Sequence, residues 1–244
     1  MQLALFDLDH TLLPLDSDHQ WGEFMVRIGA VDATRHRAQN DQFYRDYQAG
    51  TLNNQAYLDF QLAPLARYSR DQLDEWHAQY MQEVIVPAIR SEAKELVNRH
   101  LDQGDLCALV TATNEFVTAP IAKAFGLQHL IATDLARVSD HRSAFTGQAS
   151  GVPNFKEGKV TRTKQWLEAR GQTLASFSAS YFYSDSKNDL PLLEQVTHPI
   201  ATNPDETLRQ VAKARDWPIL DLFIELSLDQ NSSTDLHQAK SNKA

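Results

Sequence analysis

The chain is short of several things that would point to other functions. It has one cysteine in 244 residues, Cys107, so an internal disulfide and a cysteine-rich metal site are excluded. That residue lies in the apolar run Leu106-Cys107-Ala108-Leu109-Val110 and reads as a buried strand residue rather than a reactive thiol. No uninterrupted apolar stretch approaches the length of a membrane span. The N-terminus has no basic segment ahead of an apolar core, since Asp7 and Asp9 interrupt it at once. No signal peptide is expected, and the cytoplasm is the expected compartment. Basic residues are outnumbered, 23 Lys and Arg against 32 Asp and Glu, for a formal net charge of −9. Such a balance lacks the basic face of a nucleic-acid binder. There is no Gly-x-Ser-x-Gly elbow, no Gly-x-x-x-x-Gly-Lys phosphate loop and no His-Glu-x-x-His pair. The nine histidines are scattered, and most are expected at the surface.

What is present is an ordinary globular composition, 42% hydrophobic and 23% charged, in a chain long enough to bury a full core. The run Leu3-Ala4-Leu5-Phe6 reads as a strand, and it ends in two carboxylates, Asp7 and Asp9, followed by Thr11. Alternate residues of a strand share a face, so both carboxylates can reach one site if the chain turns after Asp7. A second acidic cluster, Asp185-Ser186-Lys187-Asn188-Asp189, follows another strand-like run, Ser180 to Tyr183.

From about Val31 to Val86 no strand-like run occurs. Asp18 reads as the N-cap of a first helix ended by Gly29, and further helices are expected at about 32–49, 53–66 and 70–85, the last stopping before Pro87. Leu73, Trp76 and Tyr80 recur at helical spacing and read as core. From 88 onward helices and strands alternate, with strands at about 106–110, 130–132, 180–183, 198–201 and 218–223. Residues 134–157 read as irregular, with a hairpin near Thr146 to Gly151. The alternation predicts an α/β fold, a Rossmann-like parallel sheet flanked by helices, with an inserted all-helical cap. The expected division is a core of residues 1–15 and 88–225, a cap of 16–87, and a disordered tail of 226–244.

In open α/β sheets ligands bind beyond the carboxyl ends of the strands. Four polar groups fall there: Asp7, Asp9 and Thr11; Thr111, Thr113 and Asn114; Lys156 and Lys159; Asp185, Asn188 and Asp189. Singly, each has a plainer reading, with Thr111 or Asp189 a helix cap and Lys159 a solvated helix residue. Together they form an oxygen-rich site suited to Mg²⁺, which typically takes one or two carboxylates and substrate phosphate. A lysine and a hydroxyl beside it complete a pocket for a transferring phosphoryl group.

These segments resemble the haloacid dehalogenase-like phosphohydrolases, most closely their phosphoserine-phosphatase-like branch with a helical cap after the first strand. Asp7-Leu8-Asp9-His10-Thr11 is similar to that superfamily's Asp-x-Asp-x-Thr motif, and Thr111 ends a strand as in its second motif. Lys159 fits the third, and Ser184-Asp185-Ser186-Lys187-Asn188-Asp189 fits the fourth. The resemblance implies Asp7 as nucleophile and Asp9 as acid and base, with Mg²⁺ on Asp7, Asp185 and the Asp9 carbonyl. It implies phosphate contacts from Thr111, the Ala112 amide, Lys159 and Asn188, with Asp189 supporting the metal. Two departures stand out. Ser184 replaces the usual glycine, where only the backbone is expected to matter, and Ala112-Thr113 replaces Gly-Gly.

The substrate implied is a small phosphate ester. In phosphoserine phosphatases an acidic residue after the first motif holds the amine and a cap arginine holds the carboxylate. Asp16 suits the first part, with Asp18 and His19 nearby, whereas Arg45 lacks the expected surroundings and reads as a solvated helix residue. Without that arginine an amino-alcohol phosphate fits better than an amino-acid phosphate. The branch includes histidinol-phosphate phosphatases, so histidinol phosphate is the expected substrate and phosphoserine the runner-up. Phosphoethanolamine, phosphocholine, a phosphotransferase and a non-catalytic binding protein stay as alternatives.

Overall fold

The computed structural model describes residues 1–139 and 144–223, so the tail expected at 226–244 lies outside the described residues. The strands are β1 (Leu3–Phe6), β2 (Leu106–Asn114), β3 (His129–Arg137), β4 (Phe145–Ser150), β5 (Ser180–Ser184), β6 (His198–Thr202) and β7 (Ile219–Leu220). They form one sheet in the order β4-β3-β2-β1-β5-β6-β7. Every neighbouring pair is parallel except β3 with β4.

All four residues of β1 are fully buried, as a strand covered on both faces requires. Its side chains alternate between two hydrophobic clusters, Ala4 and Phe6 on one face, Leu3 and Leu5 on the other. After β1 the chain builds outward through β2, β3 and β4, then crosses back to place β5 on the other side of β1. Strand order therefore reverses between β1 and β5, where Asp7 and Asp185 leave their strands.

Helices α1 (Ser17–Arg27), α2 (Ala33–Ala49), α3 (Asn54–Leu62), α4 (Arg70–Tyr80) and α5 (Val86–Ala88) come between β1 and β2, with α6 (Ser91–Asp102). Later come α7 (Glu115–Ala124), α8 (Glu157–Glu168), α9 (Leu190–Leu193) and α10 (Glu206–Ala214). The helical block shares a continuous core with the sheet: Trp21, Phe24, Leu73 and Tyr80 belong to the cluster of Phe6 and Phe116. Strand β4 also reaches this block. A Cβ on Gly147, whose φ is +79°, would lie 3.1 Å from the Ala66 Cβ and 3.3 Å from the Ala63 Cα, so only glycine allows the approach.

Several local expectations are corrected. The first helix is capped by Asp16, whose backbone is extended and whose carboxylate accepts from the His19 amide, and not by Asp18. Helix α1 starts two residues earlier than its sequence suggests because the Ser17 amide finds an acceptor in Asp9 Oδ1, 2.7 Å away. Pro87 does not end the helical run. A π turn at Met81–Ile85 precedes it, and Pro87 falls in the first turn of α5, where no N–H is needed. The stretch after 134 is not irregular: β3 continues to Arg137 and pairs with β4, whose apolar alternation is interrupted by Gly147. Three of the nine histidines, His36, His77 and His100, are buried, which does not contradict the expectation that most lie at the surface. His77 Nε2 bonds the Val117 carbonyl oxygen, and His100 bonds Asp105 and the Tyr183 hydroxyl. Cys107 is buried as expected, and burial, then Asp105, pushes its thiol up to about 12. Among the described residues no helix is long and apolar enough to cross a membrane.

Candidate active site

The loop after β1 is wound tightly around one carbonyl. The amides of Thr11, Leu12 and Leu13 all donate to the Leu8 oxygen, at 3.2, 2.9 and 3.0 Å. His10 takes a left-handed φ of 56° to make this turn. Asn203 braces the loop from β6, its amide donating to the carbonyls of His10 and Thr11. Asp7 is thereby left at the end of β1, its amide on the Tyr183 carbonyl at 2.9 Å, and Asp9 one step further on.

Lysine and carboxylates meet at the strand ends. Lys159 Nζ lies 2.9 Å from Asp7 Oδ1 and 2.6 Å from Asp189 Oδ2, and all three side chains are buried. The lysine reaches this point because α8 packs closely on the preceding loop. A Cβ on Gly158 would stand 2.0 Å from the Pro153 carbonyl oxygen, so that position demands glycine. Ser184 Oγ donates to Asp189 Oδ2 at 2.7 Å and accepts from the Ser186 amide. The serine's side chain is therefore used, contrary to the expectation that only its backbone matters. Thr11 Oγ1 both donates to Asp185 Oδ1 and accepts from the Asp185 amide, tying the first strand end to β5.

At β2 the ladder opens. Val110 pairs with Ile131 and Asn114 with Thr133, so three residues of β2 span one of β3. This bulge carries Thr111, Ala112 and Thr113 out of regular pairing. Asn154, fully buried, fills the gap: its amide donates to the carbonyls of Thr111 and Ile131 at 2.8 and 2.7 Å. Thr133 completes the brace by donating to the Ala112 carbonyl. Nothing in the sequence singles out Asn154, a lone polar residue in a stretch without periodicity.

The electrostatics are dominated by burial. It raises Asp7 to about 7, against the pull of Lys159. Asp9 is raised to about 6 by burial and then Asp16, while donors from Ser17 and Thr113 pull it back. Asp185 is raised well above the usual carboxylate range by burial, then by Asp7 and Asp189. Burial alone would lower Lys159, but Asp189 and Asp7 outweigh it and hold the ammonium above its usual range.

One cavity of about 180 Å³ brings together most of the residues singled out from the sequence, while Thr11 and Lys156 do not line it. Asp7, Asp9, Lys159, Asp185 and Asp189 form its floor with Thr111, Ala112 and Asn188. Asp16, Asp18 and His19 line it from α1 and its cap. Asp18 is 5% exposed and is held by the Tyr57 hydroxyl at 2.9 Å and the Asn114 amide at 3.3 Å. Burial and then Asp16 push it up to about 7. Tyr57 is a functional neighbour that sequence reasoning passed over, because it also fits an ordinary helix position, whereas Asn114 is one of the groups expected at the end of β2. Among the described residues no arginine lines the cavity, and Arg45 is exposed, bonded to Gln42.

Known proteins are similar to this chain in sequence and fold. A family model described as haloacid dehalogenase-like hydrolase matches residues 4–194. The chain belongs to that family. It is 50% identical over 218 residues to a histidinol-phosphatase of Neisseria meningitidis serogroup C (strain 8013), covering 89% of this chain and 97% of that one. A crystal structure of a protein of unknown function from Bordetella pertussis Tohama I superposes with a TM-score of 0.86 at 53% identity, covering 91% and 99% of the two chains. A substrate-bound phosphoserine phosphatase has a TM-score of 0.63 at 18% identity over 93% and 97%, a likeness of fold. This haloacid dehalogenase-like hydrolase is thus a phosphatase with the expected α/β sheet.

Proposed function

We propose that this phosphatase hydrolyses the phosphate monoester of an amino alcohol, histidinol phosphate, through an aspartyl-phosphate on Asp7. The observation that carries the substrate is the cavity wall: Asp16 and Asp18 face it, and among the described residues no arginine does. A cationic amine gains from those carboxylates, whereas a substrate carboxylate would meet only repulsion. The name of the half-identical Neisseria relative supports the same ester.

The geometry supports a two-step displacement. An Asp7 oxygen attacks phosphorus, the bond to the alcohol oxygen breaks, and Asp9 gives that oxygen its proton. A water then attacks phosphorus, Asp9 takes the water's proton, and the bond to Asp7 breaks to release phosphate. Asp9 is suited to both parts, since its carboxyl is raised to about 6 and its oxygens are steered by Ser17 and Thr113. Lys159, Thr111, the Ala112 amide and Asn188 serve the phosphoryl oxygens. Residues 16–87 act as the cap that carries the amine site.

The donor set fits Mg²⁺. Lys159 is the one ammonium shared by Asp7 and Asp189, and Asp185 is raised by burial and then by those two carboxylates, so a cation beside Asp7 and Asp185 would be favoured. Mg²⁺ typically takes one or two carboxylates together with backbone and substrate oxygens, a donor set that the ends of β1 and β5 supply. Asp7, Asp185 and the Asp9 carbonyl would hold it, and Asp189 would brace Lys159. When bound, it would offset the charge of the phosphoryl group as Asp7 approaches.

The test is turnover of p-nitrophenyl phosphate and histidinol phosphate with Mg²⁺, after EDTA, and in Asp7→Asn. Activity should vanish with EDTA, return with Mg²⁺ and be absent from the variant. Metal-independent turnover, or full activity in Asp7→Asn, would sink the mechanism.

A further inference from the structure

One polar group in the cavity has no role in the reaction as described. Asn40, on α2, is 5% exposed and lines the cavity, yet its side-chain amide nitrogen has no hydrogen-bond partner. A buried amide donor without a partner destabilises the fold, and such a group in a binding cavity marks a place for a ligand atom. Its neighbours in the lining are apolar: Phe43 on α2 and Leu58 and Leu62 on α3. Phe43 also packs edge-to-face on Tyr57, the residue that holds Asp18, with ring centroids 5.5 Å apart. The helical wall thus offers, beyond the amine site, an apolar surface of Phe43, Leu58 and Leu62 together with the unmet amide of Asn40, with Asn54 also in the lining.

We propose that Asn40 is the specificity residue for the far end of the substrate: its amide bonds a ring nitrogen of an imidazole-bearing amino-alcohol phosphate whose ring lies against Phe43 and Leu58. This rests on the reading of the substrate as histidinol phosphate. Neutral imidazole carries one accepting and one donating nitrogen, so it serves an amide presented either way round. Phosphoethanolamine and phosphocholine have no group beyond the amine to meet Asn40.

The experiment compares kcat/KM for histidinol phosphate, phenylalaninol phosphate and p-nitrophenyl phosphate in the wild type, Asn40→Leu and Asn40→Ala. Phenylalaninol phosphate keeps the amine and a flat ring but lacks the ring nitrogens. The wild type should favour histidinol phosphate over phenylalaninol phosphate by about tenfold or more. Both variants should bring that ratio to within about threefold, chiefly by raising KM for histidinol phosphate, and should keep p-nitrophenyl phosphate turnover. The alanine variant guards against misfolding caused by the bulk of leucine. An unchanged ratio with p-nitrophenyl phosphate activity intact overturns the assignment of Asn40 while leaving the substrate standing. A parallel loss on all three substrates overturns it too, by showing that Asn40 serves only the fold. A wild type that turns over p-nitrophenyl phosphate but neither amino-alcohol phosphate overturns the assignment together with the substrate on which it rests.

Discussion

The floor of the cavity and its helical wall are built in opposite ways. On the floor, the charged groups are braced: Lys159 by two carboxylates, Asp189 by Lys159 and Ser184, Asp185 by Thr11, with the β2 bulge held by the Asn154 amide nitrogen. On the wall, Asp18 is held by Tyr57 and Asn114, but Asn40 leaves an amide nitrogen unmatched. A braced floor suits chemistry, where charges must be ready before the reaction begins. An incompletely matched wall suits recognition, where the substrate supplies the missing partner.

This contrast predicts that floor changes strike all substrates alike, while wall changes discriminate. The largest effect belongs to Lys159→Met, which should lower kcat by about a hundredfold to a thousandfold for p-nitrophenyl phosphate and histidinol phosphate together. Unequal losses on the two would mean that Lys159 also reads the substrate.

Asp18→Asn should cost about tenfold to a hundredfold in kcat/KM for histidinol phosphate and leave p-nitrophenyl phosphate nearly untouched. The same residue sets a pH dependence. With its carboxyl at about 7 and Asp16, Asp9 and Tyr57 around it, Asp18 carries the charge an amine needs only above that value. The ratio of kcat/KM for histidinol phosphate to that for p-nitrophenyl phosphate should therefore fall as pH drops through 7, and should stay flat in Asp18→Asn. Stability moves the other way. A carboxyl raised from its usual 3.8 to about 7 on folding favours the fold while protonated and loses that contribution as pH rises through this interval. Asp18→Asn should then melt higher than the wild type at pH 8, with the gap closing toward pH 4. A lower melting temperature at pH 8 would show that the bonds from Tyr57 and Asn114 outweigh the buried charge.

Asn154→Ala removes two bonds to buried carbonyls and should cost about 2–3 kcal/mol, read as a drop of several degrees in Tm. Its effect on kcat should again be common to all substrates. Smallest is Ser184→Gly, which removes one of the two donors to Asp189. A change in kcat of no more than a few-fold is expected, since Lys159 remains in place.

The same contrast governs what could be read from the sequence. The floor is legible because its residues follow apolar strands, and strand ends converge in a parallel sheet. Leu3 to Phe6 announces Asp7, and Ser180 to Tyr183 announces Asp185. The wall is poorly legible because helical spacing explains its residues equally well as core. Tyr57, Leu58 and Asn40 look like any amphipathic helix positions. Asp16 and Asp18 are both plausible caps by composition, and the choice fell to Asp16 through a bond from Ser17 to Asp9, a contact within the folded loop. Asn154 and β4 were hidden for another reason: their partners lie on β2 and β3, and Gly147 interrupts the alternation that would reveal a strand.

The wall's lack of an arginine can be tested with two substrates that differ by a single group. Phosphoethanolamine and phosphoserine share the phosphate and the amine, and only phosphoserine adds a carboxylate. Facing Asp16 and Asp18 with no guanidinium to receive it, that carboxylate should lower kcat/KM for phosphoserine by about tenfold or more relative to phosphoethanolamine, measured with Mg²⁺. A preference for phosphoserine of similar size would contradict the account, since it would require a group that binds a carboxylate on a wall where Asp16 and Asp18 stand with His19 and, among the described residues, no arginine.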